Sequence, residues 1–240
     1  MFELNRYAVF ALLDSRSVSP VQNDQRRLTS ITGNHMAFGF PVHITLRGRF
    51  RAEEYVVAKA FVKAFKEINR TALNVQTDIC LSEPIYIKPD LVWLEVLPQY
   101  RGYETLLYLH RFFEQIVSEA VVEDEIPETY KYSGFRPHVT LGWGVTPQAW
   151  EEFFSIAPAT LKQSRIGSIA LVRYPHSWPE EEAVNVILEI PLSDRSKSYP
   201  SDLSGKRLLK HLPVHRRLRC SSPSWRGKPV VWQGRSNQGI

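Results

Sequence analysis

Short apolar runs rich in Val, Ile, Leu and aromatic residues recur along the first 192 residues of the chain. Runs of this length and composition predict β-strands. The predicted strands are 7–13, 42–46, 75–87, 91–97, 138–141, 166–174 and 184–190. Strands separated by helical segments indicate a mixed α/β chain rather than an all-helical one.

Three segments place apolar residues at helical spacing, which predicts amphipathic helices. They are 52–69, 103–120 and a third that begins with Thr146 as N-cap and Pro147 as first helical residue. The predicted buried stripes comprise Val57, Phe61, Phe65 and Ile68, then Leu106, Leu109, Phe113 and Ile116, and then Trp150, Phe153 and Phe154. His110 is predicted on a helix surface, and 14–38 and 121–134 are predicted to be loops.

The periodic pattern ends near Leu192, where we predict the domain boundary. Residues 193–240 hold 11 basic and 2 acidic residues, so the tail carries +9 of a chain whose total is +5. A segment this polar and charged buries too little apolar surface to offset chain entropy, which predicts a basic, disordered tail. Its cations with Trp225 and Trp232 could contact nucleic acid, or the tail could have no binding role.

Cys80 and Cys220 lie far apart in segments of different character, which suggests neither a disulfide framework nor a cysteine metal site. The apolar run at 7–13 is short and is interrupted by Asp14, so it is typical of a strand rather than a membrane or secretion signal. We therefore expect a cytoplasmic, monomeric protein that contacts no membrane.

The tetrapeptide His-x-Thr-Leu occurs twice, at 43–46 and 138–141. Alternate residues of a strand share a face, so His43 lies beside Thr45, and His138 beside Thr140, on otherwise apolar strands. One such pair is typical of a hydrogen-bonded strand surface. Two copies in equivalent places favour a shared function.

Paired histidines suit phosphoester chemistry, because a neutral imidazole accepts a proton from water and an imidazolium donates one to a leaving oxygen. Threonine hydroxyls can donate to the non-bridging oxygens, where charge develops. The sequence thus predicts catalysis by His43 and His138, with Thr45 and Thr140 holding phosphate. No metal-ligand spacing, Gly-rich phosphate loop or nucleophile elbow is present, so we expect no metal or cofactor.

The predicted elements also repeat, because a motif strand, a helix and two strands occur from 42 to 97 and again from 138 to 190. The helix at 103–120 and the loop at 121–134 join the two copies. An internal duplication of this kind would give two similar lobes that face each other across a groove.

ValHisIleThrLeu and ProHisValThrLeu, with their histidines 95 residues apart, resemble the paired motifs of the two-histidine (2H) phosphoesterase superfamily. That superfamily includes RNA 2′,3′-cyclic phosphodiesterases and the 2′-5′ RNA ligases. The segments 7–12, 169–174 and 184–192 resemble its first strand and closing strand pair, so the resemblance covers residues 5–192.

The resemblance implies an α+β fold with two pseudo-symmetric sheet-plus-helix lobes around a central groove, and no cofactor. It also implies that His43 donates a proton and that His138 accepts one from water, although another substrate could reverse the order. Arg47, Arg49 and Arg136 flank the motifs and could hold phosphate, and Tyr132 and Phe135 could stack on a base or simply pack their loop.

These expectations favour a metal-independent phosphodiesterase that opens 2′,3′-cyclic phosphate ends of RNA or nucleotides to 2′-phosphates. Two alternatives stay open at this stage. One is a 2′,5′-phosphodiesterase on linear or cyclic oligonucleotides, and the other is an RNA-binding module without turnover.

Overall fold

The computed structural model describes residues 4–70, 75–127, 130–156, 162–175 and 184–192. Within them the strands are β1 (Asn5–Leu13), β2 (His43–Ala52), β3 (Asp78–Ile87), β4 (Leu91–Val96), β5 (Glu123–Asp124), β6 (His138–Gly142), β7 (Lys162–Arg173) and β8 (Asn185–Pro191). The helices are α1 (Ser15–Thr32), α2 (Glu54–Arg70), α3 (Arg101–Ser118) and α4 (Pro147–Ile156). The basic tail lies outside the described residues, so its predicted disorder and nucleic-acid contacts remain predictions.

The described strands form one antiparallel sheet in the order β5-β2-β1-β7-β3-β4-β6, with β8 paired to β7. The two motif strands β2 and β6 lie near opposite ends of this order, yet they are in contact. The sheet therefore curls into a half-barrel, and this curl brings the two His-x-Thr motifs together. The expected α+β fold is confirmed.

The long strand β7 joins the two lobes. Its first residues, 162–165, pair with β3, and its later part pairs with β1 on one side and β8 on the other. Consequently the β3–β4 hairpin of the first predicted repeat lies beside β6, the motif strand of the second. The β7–β8 hairpin of the second repeat lies beside β1, which pairs with the first motif strand β2. The strands β3 and β4 belong to the half that contains β6, and β7 with β8 belongs to the half that contains β2. The repeats are thus exchanged between the lobes rather than each forming one lobe.

β1 is buried on both faces. Tyr7, Val9 and Ala11 join the main core, which the helices cover, whereas Ala8, Phe10 and Leu12 join a smaller cluster on the opposite face. Such two-sided burial explains the continuous apolar run at 7–13. No helix among the described residues is both long and apolar enough to cross a membrane.

Three helices lie within a few residues of their predicted positions. The stripes are buried as expected along α2 and α3, with Phe65 and Ile116 partly buried at their margins. Thr146 caps α4, because its Oγ1 accepts a hydrogen bond from the N–H of Ala149 at 3.2 Å. Phe153 is fully buried, but Phe154 is 51% exposed, so its predicted burial was wrong.

The largest error concerns 14–38, which was predicted to be a loop and contains the 18-residue helix α1. Its interior Pro20 and sparse apolar residues conceal the helical period. Both caps are nevertheless readable, since Asp14 accepts from the N–H of Ser17 and Gly33 ends the helix with φ 70°. The helix supports the second motif, because Gln25 donates from Nε2 to the carbonyl of Thr140 at 3.1 Å.

Candidate active site

The first motif begins β2, where the pairing register places His43 across from Leu12 and Thr45 across from Phe10. The His43 ring stacks on Phe10 with centroids 3.7 Å apart. Its Nδ1 lies 2.7 Å from the carbonyl oxygen of Pro41. His43 and Thr45 are half-buried and share the strand face that carries Phe10, as the alternation predicted.

The second motif repeats this arrangement on β6. Thr140 lies across from Trp93 on β4, and the His138 ring packs against Trp93 with centroids 4.1 Å apart. Its Nδ1 lies 2.7 Å from the carbonyl oxygen of Arg136, again two residues back along the chain. Each motif thus uses an aromatic residue opposite its threonine as a platform for its histidine.

The Nδ1 contacts determine the proton position on each ring. A carbonyl oxygen only accepts, so Nδ1 must donate, and the neutral ring then carries its lone pair on Nε2. Both His43 and His138 are therefore oriented with Nε2 available to accept a proton from, or after protonation to donate one to, a bound group.

The electrostatic surroundings of the two rings differ. Burial lowers the pKa of His43 to about 4; the hydrogen bond to Pro41 raises it, and the nearby charge of His138 lowers it further. Burial also lowers the pKa of His138, but there the hydrogen bond to Arg136 and the charge of Glu95 both raise it. Glu95 lies directly across from His138 in the sheet. The influence of His138 on His43 agrees with the contact between β2 and β6.

A cavity of about 670 Å³ opens beside the motifs. Thr45 and His138 line it together with Arg49, Trp93, His110, Glu114, Glu125, Tyr130, Phe135 and Arg136. Leu46 also lines the cavity, so two residues of the first motif and one of the second border it, whereas His43 and Thr140 are not among the described lining residues. Two guanidinium groups and several aromatic rings surround the same space, and its two carboxylates form ion pairs with other arginines. This composition suits an anionic ligand that carries a flat ring.

Arg47, two residues after Thr45, was predicted as a residue that could hold phosphate, but a β-bulge changes the alternation of side chains along β2. Thr45 pairs with Phe10 and Arg47 pairs with Val9, so Leu46 is an extra residue on β2. Arg47 consequently faces the main core at 2% exposure, where it forms ion pairs with Glu114 and Asp124. This placement argues against its predicted contact with phosphate, and Arg49 lines the cavity instead.

The remaining predicted residues lie on the segment that precedes β6. Phe135 and Arg136 line the cavity, whereas Tyr132 is 55% exposed and is not among the described lining residues. The Phe135 ring stacks on the imidazole of His110 with centroids 4.0 Å apart. Phe135 therefore packs its own loop and borders the cavity at the same time.

His110 was predicted to lie on a helix surface, and this is wrong, because it is only 3% exposed. It follows Leu109 directly and precedes Phe113 by three positions, so the inward stripe of α3 is wide enough to include it. A histidine beside such a stripe was the signal that could have identified it. Among the described residues, no group of three or more His, Cys, Asp or Glu is arranged to hold a metal ion.

Neither a protein-family model nor a curated protein sequence matches the chain. Its fold is similar to that of Escherichia coli LigT in complex with 3′-AMP, with a TM-score of 0.50 and 14% identity over 80% of this chain and 100% of that one. LigT in complex with phosphate gives 0.45 and 13% over 79% and 98%, and a phosphoesterase crystal structure gives 0.46 and 14% over 80% and 100%. At such identities the likeness concerns the fold alone.

Proposed function

Since the chain has the fold of the two-histidine phosphoesterases, we propose that it is a phosphodiesterase that hydrolyses 2′,3′-cyclic phosphate ends of RNA or nucleotides to 2′-phosphates. His43 and His138 supply acid–base catalysis, and Thr45 and Thr140 bind the non-bridging oxygens of the phosphate.

The observation that carries this proposal is the matched geometry of the two motifs. Each histidine is held through Nδ1 by a carbonyl two residues back, and each lies against the aromatic residue opposite its threonine. The two motifs share not only a carbonyl contact but its spacing and strand position, because both carbonyls lie two residues back and both aromatic residues lie opposite a threonine. Preorganised proton carriers on strands that meet across a groove are what in-line displacement at one phosphorus requires.

The proposed hydrolysis involves two proton transfers, one from water and one to the leaving oxygen. The oxygen of water attacks phosphorus while one neutral histidine accepts a proton from that water through Nε2. The bond between phosphorus and the 3′-oxygen breaks, and the other histidine, protonated, donates its proton to that oxygen. The product is a 2′-phosphomonoester with a free 3′-hydroxyl group. Hydrogen bonds from Thr45 and Thr140 stabilise the charge that builds on the non-bridging oxygens.

The resemblance assigns His43 as the acid and His138 as the base. The charge of Glu95 favours a proton on His138 in the empty protein, whereas His138 disfavours one on His43. A substrate analogue can show which histidine is the acid and which is the base. Sulfur in place of the bridging 3′-oxygen leaves without a proton, so the analogue should restore turnover only to the variant that lacks the acid.

A nucleotide substrate is supported by the cavity beside the motifs. Arg49 and Arg136 can neutralise phosphate, and the rings of Phe135 and Trp93 offer faces for a base. The similar LigT structure contains 3′-AMP, which is also a nucleoside monophosphate. These features together favour a nucleotide over a simple phosphoester.

The test is incubation of the purified chain in EDTA with nucleoside 2′,3′-cyclic phosphates, RNA with cyclic ends and 2′,5′-linked oligonucleotides. We expect 2′-phosphates from the first two and activity that survives the chelator. H43A and H138A serve as controls for contaminating enzymes. Turnover of only 2′,5′-linked substrates would change the substrate class, and tight RNA binding without any turnover would point to a binding module.

A further inference from the structure

His110 connects the two motif strands through both nitrogens of its ring. Its Nδ1 lies 2.6 Å from the carbonyl oxygen of Leu46, the bulge residue directly after Thr45. Its Nε2 accepts a hydrogen bond of 2.9 Å from the backbone N–H of Tyr132, six residues before His138. One side chain on α3 therefore contacts the chain at both halves of the site.

These two partners allow a single protonation state. The Leu46 carbonyl can only accept and the Tyr132 amide can only donate, so the ring must be neutral with its proton on Nδ1. Burial lowers the pKa of His110; the hydrogen bond to Leu46 raises it, and the charges of Arg47 and Arg111 lower it. Burial and both arginines thus favour the neutral ring that the hydrogen bonds require.

The segment that His110 holds is also bent. Tyr132 has φ 47°, a left-handed conformation that a bulky residue adopts only when its surroundings enforce it. The ring of Phe135 stacks on the face of the His110 imidazole, nearly parallel to it at 9°. The neighbouring Lys131 is tied to Asp124, which also pairs with Arg47 on β2. Hydrogen bonds and ion pairs therefore connect β2 with the segment before β6.

We propose that His110 is a positioning residue, whose neutral Nδ1–H ring fixes the turn at 130–136 against β2. In this way it sets the position of Arg136, whose carbonyl orients His138, and of Phe135 at the border of the cavity. His110 acts through these residues and transfers no proton. The effect on turnover rests on the proposed function, but the effect on the turn does not.

Two isosteric variants separate the two hydrogen bonds. In H110N the amide nitrogen can replace Nδ1 and still donate to Leu46, but nothing reaches Tyr132. In H110Q the amide oxygen can replace Nε2 and still accept from Tyr132. H35N and H35Q are matched controls, because His35 is exposed.

The first readouts need no substrate. Nitrogen-15 NMR of the wild-type chain should show His110 as the neutral Nδ1–H tautomer, identified by its loss in H110N. Hydrogen exchange at the Tyr132 amide should be fast in H110N and slow in the wild type, in H110Q and in both His35 controls. An Nε2–H tautomer, or equal protection of Tyr132 in H110N and the wild type, overturns the proposal.

The second readout is kinetic, with adenosine 2′,3′-cyclic phosphate. Loss of the hydrogen bond to Tyr132 should raise KM about tenfold in H110N, with a smaller change in kcat. H110Q, which keeps the bond to Tyr132 and loses the one to Leu46, should show a smaller rise in KM. If H110N does not fold, H110Q decides, since fast exchange at the Tyr132 amide together with a KM raised tenfold or more in H110Q overturns the proposal. If the wild type has no turnover, the proposed function fails, and the tautomer and exchange results still decide the role of His110.

Discussion

The surroundings of His43 and His138 are alike in geometry and unlike in charge. Both rings are anchored by a carbonyl at 2.7 Å and rest on an aromatic platform. His43, however, lies among Phe10 and Phe40, with no carboxylate among the causes that shift its pKa, whereas His138 lies across from Glu95. One backbone arrangement, used twice, thus holds two imidazoles whose affinities for a proton are set separately by their neighbours.

The largest test of this comparison removes the rings themselves. H43A and H138A should each lower kcat about 10²–10⁴-fold, because each deletes a proton-transfer partner. The double variant should be little worse than the poorer single one, since both act on one concerted step. Single-turnover rates with a cyclic nucleotide measure this. Near-normal rates in both single variants would contradict the assignment.

The threonines should contribute less. T45A and T140A each delete one hydrogen bond to phosphate and leave proton transfer intact, so we expect a loss of about 10–100-fold in kcat/KM. T45S and T140S keep the hydroxyl group and serve as controls that should recover most of the activity. If the serine variants are as poor as the alanine variants, the methyl groups rather than the hydroxyls matter.

His43, which is neutral in the folded protein, should also make the free energy of unfolding depend on pH. In the unfolded chain the pKa of His43 is about 6.5, whereas in the folded chain it is about 4. Between these pH values the unfolded chain binds a proton at His43 and the folded chain does not. The free energy of unfolding should therefore decrease as the pH falls through this interval, by up to ~3 kcal/mol from His43. Urea denaturation of the wild type and H43N across this range tests it. An equally steep decrease in H43N would assign the effect to other groups.

The smallest expected effect concerns Glu95, which distinguishes the two sites. E95Q removes the charge that favours the imidazolium, so the pKa of His138 should fall further while His43 changes less. NMR titration of both rings measures the shifts. E83Q is the control, because Glu83 is exposed on the neighbouring strand β3. An unchanged pKa of His138 in E95Q would show that burial and the hydrogen bond to Arg136 set it without Glu95.

The parts of the site that depend on strand alternation could be predicted from the sequence. His43, Thr45, His138 and Thr140 share strand faces as expected, because period-two alternation is local. The bulge at Leu46 could not be predicted, since it depends on the partner strand, and it removed Arg47 from the cavity.

Three other features were not predicted from the sequence. α1 was missed because Pro20 and a polar sequence conceal its period. The stripe beside His110 could have indicated its burial, but its hydrogen-bond partners lie on two segments distant in sequence and could not be predicted. The exchange of hairpins between lobes is likewise a property of strand pairing over the whole domain.

The shared strand β7 has a consequence for synthesis of the protein on the ribosome. Each motif strand pairs with a strand made earlier, β2 with β1 and β6 with β4, so both sub-sheets can begin to form as the chain emerges. Among the described strands, β7 alone pairs with both of them, and this pairing places Tyr7 opposite Arg173. Contacts so distant in sequence form slowly. We therefore expect the two histidines to come together late in folding, when β7 pairs with the strands of both halves.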